Sequence, residues 1–151
     1  LHLSIRRQRQ MCIRDSFKDH ADLHFNLSHS GNFAVCIVAG MPCGIDIEGN
    51  RPFKSSVAKR FFSKTEYHWI YDTENVSVQA ERFFRLWTLK EAYAKATGNG
   101  IAAEIHAASY VPDTDSDGLC LADSETGKHF QIKEAEYDGL RIAAVLSDSA
   151  F

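Results

Sequence analysis

Gly44-Ile45-Asp46-Ile47-Glu48 alternates apolar and acidic residues so strictly that it fits a β-strand and little else. A period of two puts Ile45 and Ile47 on one face and Asp46 and Glu48 on the other, about 6.6 Å apart along the strand at roughly 3.3 Å per residue. Two carboxylates at that spacing can converge on one ion.

Further along, residues 78–97 read as a helix, with Phe83, Phe84, Trp87 and Ala94 among its apolar positions and Gly98 or Gly100 as its stop. It carries Lys90-Glu91 and, one turn beyond Glu91, Lys95. If the strand packs beside this helix, Asp46, Glu48 and Glu91 form a cluster of three anions that repel one another unless a cation sits among them. Mg²⁺ takes hard oxygen ligands, a few of them carboxylates and the rest water or phosphate, so the donor set suits it, and Lys95 would reach a phosphate. Plainer readings exist for the same residues. Asp46 and Glu48 fit a solvated edge-strand face, Glu91 and Lys95 an ordinary surface pair, and such pairs add only about 0.3–0.5 kcal/mol.

The rest of the chain supplies an α+β framework. After the turn-like Ser28-His29-Ser30-Gly31, residues 32–39 are apolar and β-branched, and Gly40-Met41-Pro42 separates them from the acidic strand, which predicts a hairpin between the two. Residues 55–71 read as two short helices broken near Ser63, where Ser63-Lys64-Thr65-Glu66 matches a capping box and gives Glu66 a structural explanation. Segments 107–111, 119–122, 129–136 and 141–146 read as an antiparallel sheet, which packs against the helices.

Several functions are excluded or disfavoured. With a net charge of −3, the chain has no general attraction for nucleic acid, so an anionic ligand needs a local basic cluster or a metal. No apolar run approaches the roughly 18 residues of a membrane span, the basic start lacks the apolar middle of a signal peptide, and a cytoplasmic protein is the expectation. The four cysteines form no CxxC pair and read as small apolar fillers, with a Cys36–Cys43 disulfide disfavoured. Asp113-Thr114-Asp115-Ser116-Asp117-Gly118 opens like a calcium loop, but Ser124 stands where the bidentate glutamate is needed, so it reads as a solvated acidic hairpin loop. Residues 1–16, with four arginines and no periodicity, read as a foreign or truncated end, or as a basic arm for phosphates; the folded domain is expected over 17–151.

Gly44-Ile45-Asp46-Ile47-Glu48 followed by Trp87-Thr88-Leu89-Lys90-Glu91-Ala92-Tyr93-Ala94-Lys95 resembles the paired signature of 4'-phosphopantetheinyl transferases. Phe25-Asn26-Leu27-Ser28-His29-Ser30 and the run from Ala58 to Tyr67 resemble the Sfp-type branch, making four matches in order. The resemblance implies transfer of the phosphopantetheine arm of coenzyme A to a serine of an acyl or peptidyl carrier protein. It implies Mg²⁺ on Asp46, Glu48 and Glu91, and Lys95 with help from Lys90 on the pyrophosphate. Ser28 and His29 would lie toward the 3'-phosphate end of coenzyme A, and Glu91, or else Glu66, would accept the serine proton. Sfp-type members have two similar lobes, and this chain matches the second. A noncatalytic remnant that binds coenzyme A or a carrier protein weakly is the alternative, and exposed lobe surface makes self-association an expectation under either.

Overall fold

The computed structural model describes residues 23–49, 51–100, 108–112, 119–124 and 130–147. Strands β1 (His24–Ser30) and β2 (Phe33–Ala39) form one antiparallel pair, and β3 (Cys43–Gly49) begins the main sheet. Three helices follow, α1 (Ser55–Phe61), α2 (Lys64–Tyr71) and α3 (Val76–Thr97). Strands β4 (Ala108–Pro112) and β5 (Leu119–Ser124) pair with each other, and β6 (Phe130–Tyr137) and β7 (Leu140–Ser147) complete the main sheet in the order β3-β7-β6. Among the described residues all pairings are antiparallel, and the α+β class stands.

Packing of α3 on the β3-β7-β6 sheet positions the site. Opposite Asp46 and Gly44 on β3 stand Ala143 and Val145 of β7, and cross-strand partners project to one face. Ala143 and Val145 are buried in a core with Phe83, Leu86, Leu89 and Tyr93 of α3. Each such large side chain contributes about 1.5–3 kcal/mol by leaving water. Gly44 lets the two backbones touch, since a Cβ there would lie 2.0 Å from the Ala92 carbonyl oxygen and 2.5 Å from the Ala96 nitrogen. The contact fixes Asp46 beside the last turns of α3. Near the middle of the helix, Arg85 grips Glu134 of β6 through two 2.8 Å bonds.

The helices follow the sequence closely. Ser63 caps α2 with both halves of the capping box formed, and α3 stops at Gly98. Strand pairing does not. The expected hairpin between residues 32–39 and β3 is absent; β2 pairs with β1 through the two-residue loop Gly31-Asn32, and β3 pairs with β7. Gly31 at φ 58° provides the positive φ that a tight hairpin loop requires, whereas Gly40-Met41-Pro42 only carries the chain between sheets. The four C-terminal segments likewise divide between two sheets rather than joining in one. The acidic run 113–118 and the arginine-rich residues 1–16 lie outside the described residues.

Candidate functional site

Asp46 is buried at 6% exposure, which removes the solvated-edge reading for it. Its Oδ1 accepts hydrogen bonds from Lys95 Nζ at 2.7 Å and from the Ser28 hydroxyl at 2.8 Å. Lys95 Nζ also donates to the Ile45 carbonyl at 2.9 Å, so Lys95 pairs with the strand rather than with Glu91. Two of the three donors of its ammonium are thereby used. Asn26, two residues before Ser28 on the same face of β1, accepts from the Ile45 backbone nitrogen at 3.0 Å and ties β1 to β3. Asp46 Oδ2 is buried and has no hydrogen-bond partner among the described residues.

Burial raises the Asp46 carboxyl above its ordinary range even though Lys95 and Ser28 pull it down. Glu91, partly buried, is pushed up to about 7, first by desolvation and then by the charge of Asp46, with Lys95 opposing and Glu48 adding a further push. The three carboxylates therefore share one electrostatic neighbourhood. They do not form a ready cage: among the described residues no three His, Cys, Asp or Glu side chains are gathered around a common point. Glu48 is turned to Arg51, whose guanidinium meets it at 2.5 Å and 3.4 Å. Even so, Asp46 offers a buried oxygen with no hydrogen-bond partner among the described residues, and Glu91 is raised by burial and by Asp46, so a cation among these hard oxygen donors would offset both and the donor set fits a hard divalent metal.

The other predicted site residues are dispersed. His29 is exposed beside the buried Ser28, whose hydroxyl is committed to Asp46. Lys90 lies five residues before Lys95, about 140° around the helix. It is buried at 2% exposure and faces α2 and β4, donating to the Ala108 carbonyl at 2.6 Å and pairing with Glu66 at 3.2 Å. Glu66 is fully buried; it accepts from the Tyr110 nitrogen at 2.9 Å and the Ser63 nitrogen at 2.7 Å as well as holding Lys90. Lys90 and Glu66 are thus a second constellation, apart from Asp46. Sequence reasoning missed Arg51 and Asn26. The period of two already put Asn26 and Ser28 on one face; nothing local marked Arg51.

The profile of the 4'-phosphopantetheinyl transferase superfamily matches residues 42–145, from the strand bearing Asp46 to the strand beside it. This chain belongs to that superfamily. It is 43% identical over 84 residues to the 4'-phosphopantetheinyl transferase Sfp of Bacillus subtilis, covering 56% of this chain and 37% of that protein. To the 4'-phosphopantetheinyl transferase HetI of a Nostoc species it is 51% identical over 93 residues, 60% of this chain and 38% of the relative. The chain thus spans little more than a third of the length of these relatives, which put it on the Sfp-type branch. The fold matches the Bacillus anthracis holo-(acyl-carrier-protein) synthase in complex with CoA (3',5'-ADP), with a TM-score of 0.58 and 22% identity, covering 72% of this chain and 97% of that one. The Helicobacter pylori holo-[acyl-carrier-protein] synthase in complex with coenzyme A gives a TM-score of 0.56 at 21% identity, covering 70% and 99%.

Proposed function

We propose that this chain carries the metal-bearing half of a transferase that moves 4'-phosphopantetheine from coenzyme A to a serine of an acyl or peptidyl carrier protein, with Mg²⁺ held by Asp46, Glu48 and Glu91. The observation that carries the reading is Asp46: a buried carboxylate with one oxygen fixed by Lys95 and Ser28 and the other unpartnered. In the reaction the serine oxygen forms a bond to the β-phosphorus of coenzyme A, the pyrophosphate bridge breaks, and adenosine 3',5'-bisphosphate leaves. Mg²⁺, when bound, supplies charge neutralisation at the pyrophosphate oxygens.

The chain's own residues supply the rest. Lys95 reaches the pyrophosphate once it leaves Asp46, carrying a positive charge to oxygens that become more negative as the bridge breaks. Glu91 is the acceptor for the serine proton, being the carboxyl on α3 that shares the electrostatic neighbourhood of Asp46 and Glu48. Glu66, the other sequence candidate, is fully buried with three of its roughly four lone-pair sites committed, which favours a structural role. Lys90 is held in that same structural pair, and His29 keeps an exposed position from which it would meet the adenosine end. Among the described residues no helix is long and apolar enough to cross a membrane.

The test is incubation with apo carrier protein, coenzyme A and Mg²⁺, reading the intact mass of the carrier. A phosphopantetheine adduct is expected, and Asp46→Ala or excess chelator should abolish it. An adduct that survives both would remove the magnesium mechanism. No adduct, with coenzyme A still bound by calorimetry, would leave the remnant reading.

A further inference from the structure

Glu48 and Asp46 are the two acidic positions of one strand, yet each is already occupied by a cation of the chain itself. Lys95 sits on Asp46 in a buried pair, and Arg51 lies across Glu48 with both guanidinium nitrogens engaged, at 2.5 Å and 3.4 Å. The two pairs differ in mobility. Lys95 is 6% exposed and tied to backbone as well; Arg51 is 55% exposed, follows the end of β3, and touches the ring of Phe84 at 4.7 Å. An exposed guanidinium leaves a carboxylate at small cost, and its planar fork suits phosphate oxygens as well as carboxylate ones.

We infer that Arg51 is a latch on Glu48, which competes with the divalent metal for that carboxylate and, once displaced, turns its guanidinium to a phosphate oxygen of the incoming diphosphate ligand. The inference rests on the metal reading above and extends it. Its consequence is cooperative binding. Metal entering first must displace Arg51; a bound diphosphate that has already drawn Arg51 away leaves Glu48 open, so each ligand favours the other by the same factor. The geometry also explains why three carboxylates in one electrostatic neighbourhood form no ready cage, since Glu48 is turned toward the latch.

The experiment titrates the full chain with Mn²⁺, as a stand-in for Mg²⁺ detectable by paramagnetic resonance, at pH 8 and low salt, with and without saturating coenzyme A. Arg51→Gln is compared with the unaltered chain, and Asp46→Asn is the control. Without coenzyme A, Arg51→Gln should bind Mn²⁺ about two- to fivefold more tightly, the range set by an exposed ion pair. With coenzyme A the two chains should bind it equally. A gain of the same factor in both conditions indicates a general field effect and overturns the latch, as does no gain in either. Loss of Mn²⁺ binding in Asp46→Asn alongside such a result leaves the metal site standing and removes the latch alone. Failure of the unaltered chain to bind Mn²⁺ in both conditions overturns the metal reading and the latch together.

Discussion

Helix α3 carries two buried lysines, Lys90 and Lys95, each paired with a carboxylate from another element, and the two pairs have opposite characters. Around Lys90 both charged groups are matched. Glu66 accepts from the backbone nitrogens of Ser63 and Tyr110 as well as from Lys90, while the ammonium also serves the Ala108 carbonyl and lies 5.9 Å from the rings of Phe62 and Tyr110. Around Lys95 the matching is incomplete: Asp46 keeps one oxygen without a hydrogen-bond partner among the described residues, and the Glu91 carboxyl is raised first by burial and then by Asp46. A satisfied buried pair holds elements together, and an unsatisfied one waits for a ligand.

The largest effect that would break this contrast is on stability. Lys90→Met leaves Glu66 as an uncompensated charge among α2, α3 and β4, and should cost about 3–5 kcal/mol in urea unfolding, with no recovery on adding Mg²⁺. Lys95→Met removes the cation from a carboxylate whose pKa burial already raises, so protonation softens the loss. Mg²⁺ should restore most of it. Equal losses that both ignore Mg²⁺ would erase the distinction between the two pairs.

The sequence makes part of this contrast legible. Alternation along β3 gave the shared face of Asp46 and Glu48, and the capping box gave Glu66 its place at the start of α2, because both are local patterns with fixed periods. The match of α3 to its pattern placed Glu91 and Lys95 one turn apart. What stayed hidden was which strands pair and which charges meet. Residues 32–39 would pair with β3 as plausibly as with β1 on composition alone, and the structure joins them to β1 through the tight Gly31-Asn32 loop. Lys90 and Lys95 look alike in a helix sequence; 140° of rotation sends one to α2 and β4 and the other to β3. Arg51 reaches Glu48 from a segment with no regular structure, where no period applies.

An effect of intermediate size concerns pH. The folded state holds the Glu91 proton more tightly than an unfolded chain does, with a pKa of about 7 against an ordinary 4.5. Its contribution to stability is therefore complete below about pH 4.5 and is lost as pH rises through 7. Compared with Glu91→Gln, the unaltered chain without metal should lose about 1–2 kcal/mol between pH 5 and pH 8, a value discounted for solvent. Added Mg²⁺ should flatten the difference by favouring the ionised carboxylate. Melting temperatures across pH, with and without Mg²⁺, read both. A pH-independent difference would mean that neither burial nor the charges of Asp46 and Glu48 raise the Glu91 carboxyl.

The smallest effect probes how Ser28 belongs to the site. Its hydroxyl donates to Asp46 Oδ1, the oxygen that Lys95 also holds, so Ser28→Ala removes one of two bonds to a buried carboxylate and should cost about 1 kcal/mol. The family resemblance instead sets Ser28 near the 3'-phosphate of coenzyme A. Those roles separate by ligand. If Ser28 acts through Asp46, Ser28→Ala raises the Asp46 pKa further and weakens Mn²⁺ binding severalfold in the absence of coenzyme A, while coenzyme A and its 3'-dephospho form are affected alike. If the hydroxyl turns to the 3'-phosphate, metal binding alone is untouched and only the preference for coenzyme A over the dephospho form falls. The 2.8 Å bond to Asp46 and the 3% exposure of Ser28 favour the first outcome, which would make β1 part of the metal wall.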